Sequence, residues 1–168
     1  MRVALIQCTS RKKAYKCPAR DLYSESPRFR LAYALAKLVA DKIFILSAKY
    51  GLVPEDAIIE PYNETLKGKS VLERRAWGEK VLNDLRKVSD LESDEFIVLA
   101  GEVYHENLVP HMVHFWLPLK GKGQGEWIPE LKRLVRLESE SDNVIVLHIL
   151  FNGLPRLDLF SPLTRLDS

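Results

Sequence analysis

The sequence predicts an α/β domain: a three-layer α/β/α stack around a mostly parallel sheet of four to five strands. Three observations predict it. Short apolar runs alternate with amphipathic stretches in the order strand, helix, four times over. The runs are β-prone and read as strands buried in a core, with Ile43 to Leu46 as the clearest case. That run opens into a small pair, Ser47-Ala48, and then into Lys49-Tyr50-Gly51. In open α/β sheets the ligand crevice lies outside the carboxyl ends of the strands.

The first strand spans residues 2–7 and runs into a long polar loop, 8–25. Ser26 and Pro27 then serve as N-cap and first helical residue, and the helix extends to about residue 40. Its apolar positions are Phe29, Tyr33, Leu35, Ala36 and Val39. The second strand, 42–47, is followed by a second long loop, 48–69, punctuated by Pro54, Pro61 and Gly68. Ser70 and Glu73 form a capping box for a helix to residue 88, with Val71, Leu72, Trp77, Val81, Leu82 and Leu85 as apolar positions. The third strand is 95–100, a short helix covers 104–112, and the fourth strand is 114–117. A glycine-rich loop, 118–125, precedes a helix over 126–137.

Residues 1–137 are thus expected to be one domain, and 138–168 a C-terminal extension. Its apolar run 143–151 reads as an added edge strand, and its tail as a docking arm that could cross a dimer interface.

With 46% hydrophobic and 29% charged residues the chain can bury a core and stay in solution. A net charge of +2 excludes a general polyanion coat, so any nucleic-acid surface has to come from local clustering of cations. The two cysteines, Cys8 and Cys17, form no disulfide framework and fit a reducing compartment, so a cytoplasmic location is expected. The apolar run at the N-terminus is too short for a signal peptide or a membrane span.

Parallel strands place the loops that follow them on one rim. Arg11, Lys12 and Lys13 follow the first strand, Lys49 the second, and Lys120 and Lys122 the fourth, against Glu102 after the third. Cations concentrated on one rim of a near-neutral protein suit an anion, phosphate first. Gly121, Gly123 and Gly125 let backbone approach it, and the next helix offers free amides. The plain alternative is that each lysine is solvated, as loop lysines usually are.

Tyr23, Tyr50, Tyr62 and Tyr104 belong to the same rim. Tyrosine stacks on nucleobases, though it also serves as a core residue with a satisfied hydroxyl. Among the rim acids Asp21, Glu25, Asp56, Glu60 and Glu102, Asp21 is the first candidate for a catalytic carboxylate and Glu60 the second. A carboxylate can orient water or stabilise an oxocarbenium-like sugar while the base departs. Each acid could equally be a solvated loop residue. Cys8, beside Lys12 and Lys13, could be a nucleophile, but a free cysteine is more often a small buried hydrophobe.

No metal and no cofactor are expected. The sequence lacks CxxC, HxE and HExxH spacings, and His111 and His114 have no obvious partners. A Walker motif and GxGxxG are absent too.

Taken together, Cys8-Thr9-Ser10 with Lys13, DLYSESPRF, LSAKYGL, EPYNETL, Trp77, LAGEVY and PLKGKGQG resemble a family of small bacterial, archaeal and phage proteins catalogued as a domain of unknown function. The resemblance covers about residues 1–134. That family in turn resembles the uracil-DNA-glycosylase-like α/β fold, and the likeness implies DNA glycosylases acting on modified bases in phage defence. Two departures weaken the catalytic likeness. The loop after the first strand has no acid before Asp21, and PLKGKGQG stands where the intercalating loop of those enzymes would be.

The leading expectation is therefore an enzyme that flips a non-standard base out of DNA and cleaves its N-glycosidic bond. Cys8, Lys13, Tyr23, Ser47, Tyr50, Gly51, Tyr62, Gly101 and Tyr104 would bind the substrate. Arg11, Lys12, Lys49, Lys120 and Lys122 would hold its phosphates. The rivals are a nucleoside or nucleotide hydrolase or base-exchanging transferase, and a non-catalytic nucleic-acid or nucleotide-binding module.

Overall fold

The computed structural model describes the backbone of residues 1–152 and the side chains of residues 1–141. Strand β1 (Arg2–Gln7) leads into a loop carrying β2 (Cys17–Pro18) and a single helical turn, α1 (Ala19–Leu22). Then follow α2 (Pro27–Val39), β3 (Lys42–Ser47), β4 (Gly51–Pro54), β5 (Ile58–Ile59) and α3 (Val71–Val88). The remaining elements are β6 (Glu95–Leu99), α4 (Glu102–His105), a 3-10 turn (Val109–His111), β7 (His114–Trp116), a second 3-10 turn (Gln124–Glu126) and α5 (Trp127–Asn152).

Five strands form one mostly parallel sheet in the order β4-β3-β1-β6-β7, and β2 pairs with β5 in a separate ribbon. β1 lies parallel to β3 on one side and β6 on the other, with Ile6 level with Ile45 and Leu99. β7 extends the parallel set beyond β6, while β4 folds back antiparallel on β3. The four expected parallel strands are all present. β1 and β3 have the expected bounds, and β6 and β7 each stop one residue earlier.

Three differences from the sequence expectation concern strands. Residues 17–18 and 58–59, expected as loop, pair as the ribbon of β2 and β5. Residues 51–54, expected as loop, form β4, with Gly51 level with Ser47. Gly51 has φ +77°, which lets the chain reverse where a side-chain-bearing residue would be strained. Pro54, at the outer end of β4, is tolerated because the strand is an edge. The run 143–151, expected as an added strand, instead continues α5. Its approach, Glu138-Ser139-Glu140-Ser141-Asp142, contains neither glycine nor proline to stop a helix, and a continuous apolar run has no period that separates strand from helix. The expected docking arm lies outside the described residues from 153 onward.

The helix starts follow their chemistry. Ser26 Oγ accepts from Phe29 N at 3.4 Å, ahead of Pro27 in the first helical position. Ser70 and Glu73 complete the capping box at the start of α3. Helix α2 buries Phe29, Ala32, Leu35 and Ala36 and packs on β1 and α5. Helix α3 buries Trp77, Val81, Leu82 and Leu85 and packs against β4 and α4, whereas Val71 and Leu72 in its first turn stay exposed. Gly78 lets α3 sit tightly on the segment after α4: a Cβ there would lie 2.7 Å from Asn107 Cβ. Among the described residues no helix is long and apolar enough to cross a membrane.

The strand order positions the site. From β1 the chain moves to β3 on one side, then returns across β1 to β6 on the other. The reversal leaves a crevice at the carboxyl ends of β1 and β6. Gln7, the last residue of β1, spans it: its Oε1 accepts from Gly101 N at 2.8 Å.

Candidate functional site

Each loop leaving the carboxyl ends of β1, β3 and β6 delivers a hydroxyl or thiol to this end of the sheet. β3 ends in Ser47, which is fully buried. Its Oγ accepts from Tyr50 N at 3.0 Å and donates to Tyr62 Oη at 2.7 Å. Tyr62 Oη in turn lies 2.7 Å from Tyr23 Oη. Trp77, from α3, fixes the same corner by donating its indole N–H to Ser47 O at 2.9 Å. Beside this chain, Cys8 Sγ lies 3.6 Å from Tyr104 Oη, which also accepts from Leu66 N at 3.3 Å. Both ring pairs, Tyr50–Tyr62 and Trp77–Tyr104, meet edge to face.

Desolvation sets the charge state. Burial raises the phenol pKa of Tyr23 and Tyr62, and that of Tyr104 to about 12. At neutral pH all three are therefore protonated and act as neutral donors and acceptors. Positive charge enters from two half-buried side chains. Lys12 Nζ stands 4.4 Å from the Tyr62 ring centroid and 5.9 Å from that of Tyr23. Arg28 Cζ stands over Trp127, 4.9 Å from its ring centroid, and Nη1 donates to Gln124 Oε1 at 3.1 Å. Burial lowers the pKa of both cations, and negative charge at Cys8 would raise both. Next to Arg28, a cleft large enough for about one water is lined by Gln7, Thr9, Phe29, Leu99, Trp127 and their neighbours.

The structure brings together Cys8, Lys12, Tyr23, Ser47, Tyr50, Tyr62 and Tyr104 among the expected residues. Gly101 joins them through Gln7, and Gly51 makes the turn after Tyr50. Others lie apart. Lys13 turns to the Tyr15 ring, 5.6 Å away. Lys49 is exposed and stands over Tyr50 at 5.3 Å, while Arg11, Lys120 and Lys122 are exposed. Asp21 is half-buried on α1, two residues before Tyr23. Glu60 is exposed, and its backbone carbonyl accepts from Tyr50 Oη at 3.3 Å. Among the described residues, no three His, Cys, Asp or Glu side chains are placed to hold a metal ion.

Sequence reasoning missed Arg28, Thr9 and Trp127. A signal for Arg28 was present: it occupies the first turn of α2, where a cation opposes the helix dipole.

Fold and site thus define an α/β protein with a largely buried hydroxyl cluster and two half-buried cations near the carboxyl ends of its parallel strands. The chain belongs to DUF6884, a family of unknown function, whose model matches residues 3–133 and so ends within α5. No curated protein and no solved structure matches the chain.

Proposed function

We propose that this protein is a DNA glycosylase-like enzyme that receives a modified or non-standard base flipped from DNA and cleaves its N-glycosidic bond. The observation that carries the reading is the clustering of Tyr23, Tyr62 and Ser47 hydroxyls under Lys12 at the crevice. Tyr50 and Tyr62, half-buried where Tyr23 and Ser47 are fully buried, would offer the ring faces to a base. Stacking is worth about 1–3 kcal/mol per base, and flipping costs a few kcal/mol. The phosphate backbone would be held by Lys12 at the cluster and, farther out, by the exposed Arg11, Lys49, Lys120 and Lys122.

In the reaction the C1′–N bond breaks with its electron pair going to the base, which takes up a proton. Water adds to the oxocarbenium-like C1′ and gives its proton to a carboxylate. Asp21 is the first choice for that carboxylate, on the same loop as Tyr23, and Glu60 the second, two residues before Tyr62. Right-handed crossovers on either side of β1 would put α2 and α3 on opposite faces, the three-layer arrangement of the uracil-DNA-glycosylase-like fold.

The test is mass-spectrometric detection of free bases, with abasic sites counted in the DNA, after incubation with phage and chemically modified DNAs. Release that falls at least a hundredfold in Asp21→Asn or Glu60→Gln supports the reading. Folded protein that releases nothing across the panel ends it.

A second reading, hydrolysis or base exchange on a free nucleotide, is favoured by one observation. Only Lys12 among the five proposed phosphate contacts stands over the Tyr23–Tyr62 pair, so few phosphates would be engaged there. Ligand binding nearly independent of salt would favour it, and a steep loss of DNA affinity with salt would favour the first reading.

A further inference from the structure

Arg28 and Lys12 share an unusual condition. Both are half-buried cations, yet among the described residues neither pairs with a carboxylate. Cations leave water at a cost that is ordinarily offset by an acid partner. Here the partners are neutral: ring faces for Lys12, and the Trp127 ring and the Gln124 amide for Arg28. Arg28 also sits where the first turn of α2 repels positive charge.

Contact with the Trp127 ring face leaves the N–H donors of Arg28 largely unused. Among the described residues one of the five is used, by Gln124. The remaining fork matches two oxygens of a tetrahedral anion.

We infer that Arg28 and Lys12 form a clamp for a phosphoryl group of the substrate, Arg28 binding it through its fork and Lys12 as a point charge. The inference rests on the reading that this recess takes a nucleotide unit. It adds the claim that the unit enters with its phosphate, not as a bare nucleoside. Both border the loop that leaves β1: Arg28 lines a cleft with Gln7 and Thr9, and Lys12 is carried three residues further along that loop.

Binding of two probes tests the clamp: a mixed-sequence single-stranded oligonucleotide and a panel of nucleoside 5′-monophosphates, each monophosphate paired with its nucleoside. Wild type is compared with Arg28→Gln, Arg28→Lys, Lys12→Met and, as a control on the exposed face of α5, Lys132→Gln, all checked by thermal melting. The expected result is at least tenfold weaker binding of a phosphate-bearing probe by Arg28→Gln and Lys12→Met. For the oligonucleotide, the log-log salt slope should fall by about one per residue removed. Arg28→Lys should recover only part of the loss, and unphosphorylated nucleosides should bind all variants alike. An effect on the oligonucleotide alone assigns the phosphoryl group to a strand, and an effect on monophosphates alone assigns it to a free nucleotide; either supports the clamp. Equal binding of every probe by wild type and folded Arg28→Gln overturns it, as does a wild type that binds no phosphate-bearing probe. Arg28-dependent phosphate binding without base release would remove the glycosidic reading and leave the clamp. Base release at full rate by Arg28→Gln, with binding also unchanged, would do the reverse.

Discussion

The phenolic oxygens of Tyr23 and Tyr62 lie 2.7 Å apart, although 39 residues separate them in the chain. One hydrogen bond joins two side chains from different loops, and Ser47 donates a second to Tyr62. The Tyr23 ring is fully buried, so its hydroxyl has no water to turn to when its partner is removed.

Tyr62→Phe should therefore destabilise the fold by about 1–3 kcal/mol, the cost of an unsatisfied buried hydroxyl. Tyr23→Phe should cost a comparable amount. Tyr23→Phe/Tyr62→Phe should cost less than the sum, with a coupling of about 0.5–3 kcal/mol. Denaturant unfolding of the four proteins gives the cycle; strict additivity would mean the hydroxyls do not interact.

Trp77→Phe keeps an aromatic ring against Tyr104 but removes the indole donor to Ser47 O. The expected loss is about 1–3 kcal/mol, because the abandoned carbonyl is buried. In the nitrogen-labelled spectrum, the amide of Tyr50, which donates to Ser47 Oγ, should shift along with that of Ser47.

Gly78→Ala places a methyl 2.7 Å from Asn107 Cβ, and two packed segments must part to admit it. Overpacking of this kind costs about 1–3 kcal/mol, more than the helix propensity gained. Gly78→Ala/Asn107→Gly removes the colliding Cβ and should recover part of the lost melting temperature. A Gly78→Ala protein as stable as wild type would contradict the contact.

His105 has a buried Nδ1 with no partner among the described residues. Burial lowers its pKa from the usual 6.5, against the nearby Glu102 and Glu106 carboxylates, which raise it, while Lys120 adds to the lowering. Between the lowered pKa and 6.5 the unfolded chain binds more protons than the folded one, so stability falls as pH drops through that window. The imidazole should titrate below 6.5 by NMR, and His105→Gln should flatten the stability profile there. A midpoint above 6.5 would refute the assignment.

Where local chemistry and tertiary packing agreed, the sequence was readable. Ser26-Pro27 and Ser70-Glu73 marked helix starts, and the apolar runs marked the four parallel strands. β4 was hidden because it opens on Gly51 and ends on Pro54, which read as loop punctuation, leaving only Leu52 and Val53 as strand-like residues. For the site, position along the rim identified the tyrosines but could not rank the cations. Lys12 and Lys120 both follow a strand, yet one folds over a ring and the other stays in solvent. Arg28 escaped notice because it follows a helix cap rather than a strand. Only the docking of Trp127 from a helix a hundred residues away gives it a role.

The linkage from Tyr50 N through Ser47 and Tyr62 to Tyr23 has a mechanical consequence. Three chain segments are latched by a single relay, so one cannot swing outward while the others hold still. Amide exchange at Tyr50 should consequently report movement of the whole latch, and a bound guest should slow it even without touching that nitrogen.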